Sequence, residues 1–525
     1  MRTKYLQLVS QSDNGRFWNL RSRDMIEIKE LQIDLCQSLR APIRKLPVET
    51  LCTIFAMCIP PPHKRPTNRS APFVLCLVSK AWRDIVTQDP TLWTRIHFDI
   101  TSTAPNRRLG HNRNRDQFRS LIHRARNIPL TISITQRRGD LDLRQFYELL
   151  HLIAECTPLC KHLLIQSYTG WTKELRSLEP QQLQRLESLS VRLHHPFFHH
   201  SFSVGTTGDV FSALPKLQTA EVHVRNPETL LAFSLPTNAL LKLSVIVEFF
   251  YTPAYSLDFS RAFITRFRNL RNLHLILHGK GFSHPGFIPD VVNTSKSLAT
   301  FHSLKEITIR CGFRASLSTI LDGFSFPSLQ SFNLDAVSVP VRIISKDFVF
   351  SDVLRKHMTY FSRLTSLRLL RIDIEDDQLR ELLQFTPLLA SLDIMRGYFR
   401  NHEFLLQDDD LLEFLTVLDD GDSDEISPPV PRLTDLRLYF DPEHAGLYAK
   451  MALSRHNWAV KRLGNDRGAA RSYSATTVPR YPFRLSLKLE KTEWESRKGV
   501  IDDLGTLGEG IIRTEPCHSF IRWKI

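Results

Sequence analysis

Residues 329–334 read LQSFNL, residues 364–369 read LTSLRL, and residues 389–394 read LASLDI. Apolar side chains fill the first, fourth and sixth places of each phrase. The alternation of the fourth and sixth is that of a strand with one buried face. The same pattern begins at Cys160, Leu186, Leu217, Leu240, Leu270, Leu304, Leu329, Leu364, Leu389 and Leu433, ten times in all and usually with Pro or Phe just upstream. Spacing runs from 23 residues (217 to 240) to 44 residues (389 to 433). Helix-like stretches lie between, such as DLRQFYELLHLIAECTP (142–158) and DDQLRELLQFTP (376–387), each ending in a helix-breaking Thr-Pro. One such unit cannot cover its own apolar face, so neighbours are expected to stack with parallel strands. Leu273, Ile309 and Leu392 should then be buried. The side chains between buried positions, including Glu221, His223, His274, Thr308, Asn333, Arg368, Asp393 and Arg437, should point to the open face, with His274, Thr308 and Asp393 exposed. The competing reading, a generic α/β domain whose strands happen to share the phrase, is disfavoured by ten recurrences.

Ahead of this body lies a compact set of apolar stripes. In APIRKLPVETLCTIFAMCI (41–59), Leu46 precedes Pro47, a residue suited to a helix start, and Glu49 complements the first turn. Leu51, Ile54 and Phe55 supply the stripe. The prolines of PPPHKRP (60–66) must stop that helix. PFVLCLVSKAWRDIV (72–86) carries Val74, Leu75, Val78, Trp82 and Ile85 at helical spacing, and DPTLW (89–93) closes the unit with Trp93. A unit of about 50 residues cannot bury all these side chains alone, so some must face a partner or the following domain. Further upstream, Ile28, Leu31, Leu35 and Leu39 mark a short amphipathic helix that Pro42 ends.

Two resemblances rest on these residues. The recurring phrase resembles the strand segment of a leucine-rich repeat, mostly without the Asn or Cys that often follows it in the strict family. The order Leu46-Pro47-x-Glu49-x-Leu51-x-x-Ile54-Phe55, Val78-Ser79-Lys80-x-Trp82-Arg83, Pro90-x-Leu92-Trp93 resembles an F-box, with Ser79 where that family often has Cys. The proline-rich basic insertion after the first helix is similar to those of the large fungal F-box-like sets. The resemblance implies an α/β chain: a small N-terminal helical F-box, then an irregular leucine-rich-repeat-like solenoid with a parallel sheet. It divides the chain into an N-terminal segment 1–41 and an F-box at 42–98. A basic connecting region with a first helix at 99–156 precedes a solenoid at 157–440, and a C-terminal cap or tail occupies 441–525. It further implies that Leu46, Pro47, Leu51, Ile54, Phe55, Leu75, Val78, Trp82 and Trp93 bind a Skp-type adaptor, and through it a cullin. The repeat body would hold a protein substrate for ubiquitin transfer, with the chemistry left to other subunits.

Composition narrows the remaining classes. The chain has 525 residues, 42% hydrophobic and 24% charged, as ordinary globular proteins do. No signal-like N-terminus and no run of about 20 apolar residues is present, so a cytoplasmic or nuclear protein without membrane contact is expected. The eight cysteines are scattered, with no CxxC pair, and are expected to be free thiols. His194, His195, His199 and His200 flank Pro196-Phe197-Phe198 without a carboxylate, and a loop is expected there rather than a metal site. No phosphate loop, GxSxG elbow or HExxH occurs, so neither cofactor nor catalysis is expected. The net charge is +14. Arginines crowd 101–140 (Arg107, Arg108, Arg113, Arg115, Arg119, Arg124, Arg126, Arg137, Arg138), but Phe118 is the lone aromatic there, so nucleic acid is not the expected partner. The acidic stretch 408–425 ends in Ser-Pro-Pro and is expected to be an exposed insertion. Beside the ligase reading stand a repeat scaffold using its helical unit for other contacts and, further off, a basic nucleic-acid-binding protein.

Overall fold

The computed structural model describes residues 29–30, 32, 42–59, 71–100, 119–136, 157–167, 180–193, 211–225, 228–231, 233–249, 260–279, 299–311, 321, 324–336, 360–370, 376–395, 409–417, 429–439, 444–469, 483–490 and 511–517. Two compact units are present, one of residues 1–97 with 113–128, the other of 98–112 with 129–525. Of the expected N-terminal amphipathic helix, Lys29, Glu30 and Gln32 are helical and exposed. Its apolar stripe lies outside the described residues, as do the histidine-flanked loop 194–200 and the helix-like stretch 142–156.

In the first unit a short 3-10 turn (Pro42–Lys45) leads into α1 (Val48–Cys58), and α2 (Ala71–Val78) and α3 (Lys80–Gln88) follow. Pro47 stands at the N-cap of α1, where no backbone N–H is needed, and Glu49 sits in the first turn. Ser79 separates α2 from α3 and caps the latter, its hydroxyl accepting from the Trp82 N–H at 3.2 Å. Serine is a favoured cap because it satisfies one of the orphan donors of a helix start. A 3-10 turn (Pro90–Trp93) then buries Leu92 and Trp93, and the indole Nε1 donates to the Val86 carbonyl at 2.7 Å. Phe73 meets the Trp93 ring edge-on at 5.5 Å, and the Arg124 guanidinium lies 4.5 Å from its centre. The strand β1 (Arg95–Ile100) follows.

The second unit is built on an open sheet in which thirteen strands run parallel in chain order. They are β2 (Leu130–Gln136), β3 (Cys160–Ser167), β4 (Ser188–Leu193), β5 (Thr219–Val224), β6 (Lys242–Phe249) and β7 (Asn272–Gly279). Then come β9 (Glu306–Cys311), β11 (Ser331–Ala336), β12 (Ser366–Leu370), β13 (Ser391–Met395), β14 (Asp435–Tyr439), β15 (Arg484–Glu490) and β16 (Ile512–Cys517). Two short strands, β8 (Ala299–Thr300) and β10 (Phe324–Ser325), pair apart from it.

Every one of the ten phrases contributes one strand, and all its apolar places are buried, none more than 6% exposed. The register stacks like on like. One buried row runs from Ile132 and Leu163 through Leu243, Leu273 and Ile307 to Leu436, Leu485 and Ile512. Burying such a side chain contributes roughly 1.5–3 kcal/mol. Just before the strands from β4 to β14 a second ladder runs through the backbone. The Glu187 carbonyl accepts the N–H groups of Gln218 and Thr219, the Gln218 carbonyl those of Leu241 and Lys242, and the Leu241 carbonyl those of Arg271 and Asn272. The pattern continues to Ala390, which accepts from Thr434 and Asp435, all within 2.8–3.1 Å. Both lone pairs of each carbonyl are thereby used.

The leucine that opens most phrases closes a turn onto the carbonyl three residues earlier, as Leu304 does on Phe301, Leu329 on Phe326 and Leu364 on Phe361. Those earlier residues are buried too, and Phe301, Phe324 and Phe326 form a cluster with ring centres 5.6–6.0 Å apart. Between β12 and β13 the expected helix is present as α4 (Asp376–Gln384), with Leu379, Leu382 and Leu383 inward.

Three expectations need correction. The sheet is wider than 157–440, because β2 lies in the supposed connecting region and β15 and β16 in the supposed tail. In β2 and β15 the place of the opening leucine holds Pro129 and Pro482, so the phrase is absent although the strand is there. The acidic stretch is also not all exposed insertion. Residues Asp409–Leu415 form a helix, α5, that buries Leu411, Leu412 and Leu415 and packs on α6 (Ala445–Ala469). Arg455 of α6 is buried and donates to the carbonyls of Leu415 (2.6 Å), Pro429 (2.6 Å) and Val430 (3.2 Å). Burial pushes its pKa down to about 10, which leaves it charged at neutral pH. Val430 is thereby held at φ 55, a strained conformation for a β-branched residue. Thirdly, Asp393 is 6% exposed rather than free on the surface, because Arg368 lies over it at 3.1 Å.

Truncating a rung should weaken the whole sheet. Leu392→Ala is expected to cost about 2–5 kcal/mol, against less than about 0.5 kcal/mol for Thr365→Ala on the exposed backbone ladder. Urea unfolding followed by circular dichroism reads both.

Candidate functional site

Two surfaces carry more than structural need. On the first unit, the sequence nominated nine side chains for partner contact, and the fold divides them. Leu51, Phe55, Leu75 and Trp93 are buried within the unit, so their immediate role is to hold its helices together. Phe55 is fully buried, with its ring centre 4.7 Å from that of Trp82. Leu46, Ile54 and Trp82 are half-buried, whereas Pro47 and Val78 are exposed.

The apolar side chains most open to solvent are mostly others. Leu77 is 79% exposed and Met57 80%, with Val48 and Val74 also outward. Val74, Leu77 and Val78 share one face of α2, at helical offsets of three and four, opposite the buried Pro72 and Leu75. Exposed valine and leucine at consecutive turns of one helix are unusual unless something covers them. The sequence of α2, APFVLCLV, is apolar on every side, and that continuity was the available signal. A helix this apolar on a unit this small must leave one face uncovered.

The second surface is the open face of the sheet. Its side chains form rows across the strands, and most of the charged ones pair with the neighbouring strand. Arg192 meets Glu221 at 2.8 Å and Arg225 meets Glu248 at 3.3 Å, with His223 Nε2 in hydrogen-bond reach of the Glu248 carboxylate at 3.0 Å. Farther along, Arg310 meets Asp335 at 3.0 Å and Arg368 meets Asp393 at 3.1 Å. Cross-strand pairs of this kind help hold strand register.

Over β5, β6, β7 and β9 the face sinks into a cleft of about 370 Å³. Thr219, Lys242, Asn272 and Glu306 stand in register along one side. Glu221, Ser244, His274 and Thr308 form the next row, two residues further along each strand. Ser244 Oγ lies 3.3 Å from His274 Nδ1, and Asn272 donates to the Glu306 carboxylate. Burial, and then the Arg310 charge, push the His274 pKa below its ordinary 6.5, against smaller opposing effects of Glu221 and Glu306. The centre of the cleft is therefore uncharged at neutral pH, flanked by a lysine and two glutamates. It offers hydrogen-bond donors and acceptors on a rigid floor. The sequence pattern placed Glu221, His274 and Thr308 on this face and left out Ser244 of the same row, while Lys242, Asn272 and Glu306 belong to the adjacent row, at the place just before the buried fourth position of each phrase.

Among the described residues no group of three or more His, Cys, Asp and Glu side chains is arranged to hold a metal. Cys52, Cys58, Cys76 and Cys160 are free thiols, and burial pushes Cys160 up to about 12. No helix among them is long and apolar enough to cross a membrane. The chain matches no protein-family model and no curated protein.

The depressed pKa of His274 has a sign. Below about pH 6.5 the unfolded chain takes up a proton that the folded site resists, so stability present above that pH is lost as the pH falls through the window beneath it. His162 on β3, lowered first by burial and then by Lys161, adds to the same trend. The urea midpoint is expected to fall between about pH 7 and pH 5.5, and less steeply in His274→Gln. An equal slope in the variant would contradict this assignment.

Proposed function

We propose that the chain is a non-catalytic substrate receptor of a Skp-cullin-F-box ubiquitin ligase. The helical unit docks on a Skp-type adaptor, and the sheet face of the repeat body holds a protein substrate. The observation that carries this reading is the exposed stripe Val74, Leu77 and Val78 on α2, within a unit whose motif order resembles an F-box. Burial of Leu51, Phe55 and Trp93 gives that unit its own core, so an uncovered apolar stripe beside it is available to a partner. The repeat body supports the other half of the reading. Stacked single-strand repeats leave a long open face, a common platform for binding other proteins, and here that face is lined with mixed polar groups. A receptor of this kind accelerates transfer by holding substrate near the ligase, which needs no catalytic group of its own.

Because Leu77 is exposed, charging it leaves the fold intact while opposing an apolar contact. Leu77→Glu is expected to weaken capture of a recombinant Skp-type adaptor about thirtyfold, the loss of one interface anchor worth about 2 kcal/mol, with an unchanged circular dichroism melt. Phe55→Ala is expected to lower the melt as well. Undiminished capture by a folded Leu77→Glu protein would remove this stripe from the interface, and no capture by the unaltered chain would sink the ligase reading.

A further inference from the structure

Lys242 and Glu306 stand apart from the other charges of the sheet face. Most of those are matched strand to strand, as in the pairs Arg192–Glu221 and Arg310–Asp335. Lys242 has no ion pair among the described residues, and the Glu306 carboxylate has no cationic partner there, only the amide of Asn272. Both line the cleft in this face. They sit in the same row, on β6 and β9, with Asn272 of β7 between them. Two strand spacings separate their backbones, about 10 Å. Between and beside them the floor is neutral: Ser244, Thr308 and His274 offer donors and acceptors without charge.

We propose that this cleft binds a protein segment in polyproline II conformation that crosses the strands and carries one acidic and one basic side chain three residues apart. A chain in polyproline II conformation has three residues per turn and advances about 3.1 Å per residue, so side chains three residues apart point the same way and lie about 9 Å apart, close to the separation of Lys242 from Glu306. The acidic side chain meets Lys242 and the basic one meets Glu306, while the neutral floor bonds the main chain of the segment. Small polar residues suit the places between, since Ser244 and Thr308 give the cleft its depth. Charge complementarity at both ends fixes direction as well as position, because a segment with its charges reversed places like against like.

This inference rests on the reading of the sheet face as the substrate surface, and it is independent of the adaptor. The probe is a displayed library of Gly/Ser/Thr octamers holding one Asp and one Lys at separations of two, three or four residues, in both orders, panned against the full chain. Enrichment of separation three in one order, at least tenfold over the rest, is expected. The double variant Lys242→Glu/Glu306→Lys, checked for an unchanged circular dichroism spectrum, is expected to enrich the opposite order. No preference for separation or order, or the same preference in the double variant, would overturn the proposal. Adaptor capture is measured separately, so loss of capture with retained selection defeats the ligase reading alone, and the converse defeats the cleft alone.

Discussion

Each repeat of this chain supplies a strand that cannot satisfy itself. Its leucines cover one face only, and the carbonyl just before the strand has two lone pairs with no partner inside its own repeat. The next repeat answers both needs at once, placing leucine over leucine and two N–H groups on that carbonyl. Because the answer is the same at every step, the order of strands follows the order of sequence and all neighbours are parallel. Length between strands is then free to vary, which is why spacings from 23 to 44 residues are compatible with one unbroken sheet. The same constraint builds the open face. Once alternate side chains are committed inward, the others line up in rows, and mixed charges there become cross-strand pairs with little further requirement on sequence.

The helical unit obeys a different limit, that of size. With few residues it makes a core from Leu51, Phe55, Leu75, Val86, Leu92 and Trp93, and the Trp93 indole is held by both a hydrogen bond and the Arg124 cation. What remains of an all-apolar helix faces outward. Stability therefore falls to the buried side chains of these short segments, and the exposed ones are left for the partner contact proposed above.

This division marks how far the sequence could be read. The alternation of ten phrases was enough to place their buried leucines and the parallel sheet, since period two leaves no choice of face once one side is apolar. Strands β2 and β15 escaped because proline stands where the opening leucine would, and β16 because Thr514 replaces its second apolar rung. Asp393 escaped for another reason: its burial depends on Arg368 one strand away, and no pattern within a single strand records its neighbour. The helix α5 was hidden by its acidic surface, although Leu411, Leu412 and Leu415 carry helical spacing. For the candidate site, position on the open face was legible and pairing was not, so the contrast between matched and unmatched charges appears only once register is known.

The central claim is that one chain presents two binding surfaces of different kinds, an apolar helical stripe for an adaptor and a polar sheet face for a substrate. Hydrogen–deuterium exchange of the full chain, with and without saturating Skp-type adaptor, tests it most directly. Added protection is expected in residues 48–58 and 71–88, with the strands of residues 219–311 unchanged. Protection falling on those strands instead, or none anywhere at saturating adaptor, would contradict it.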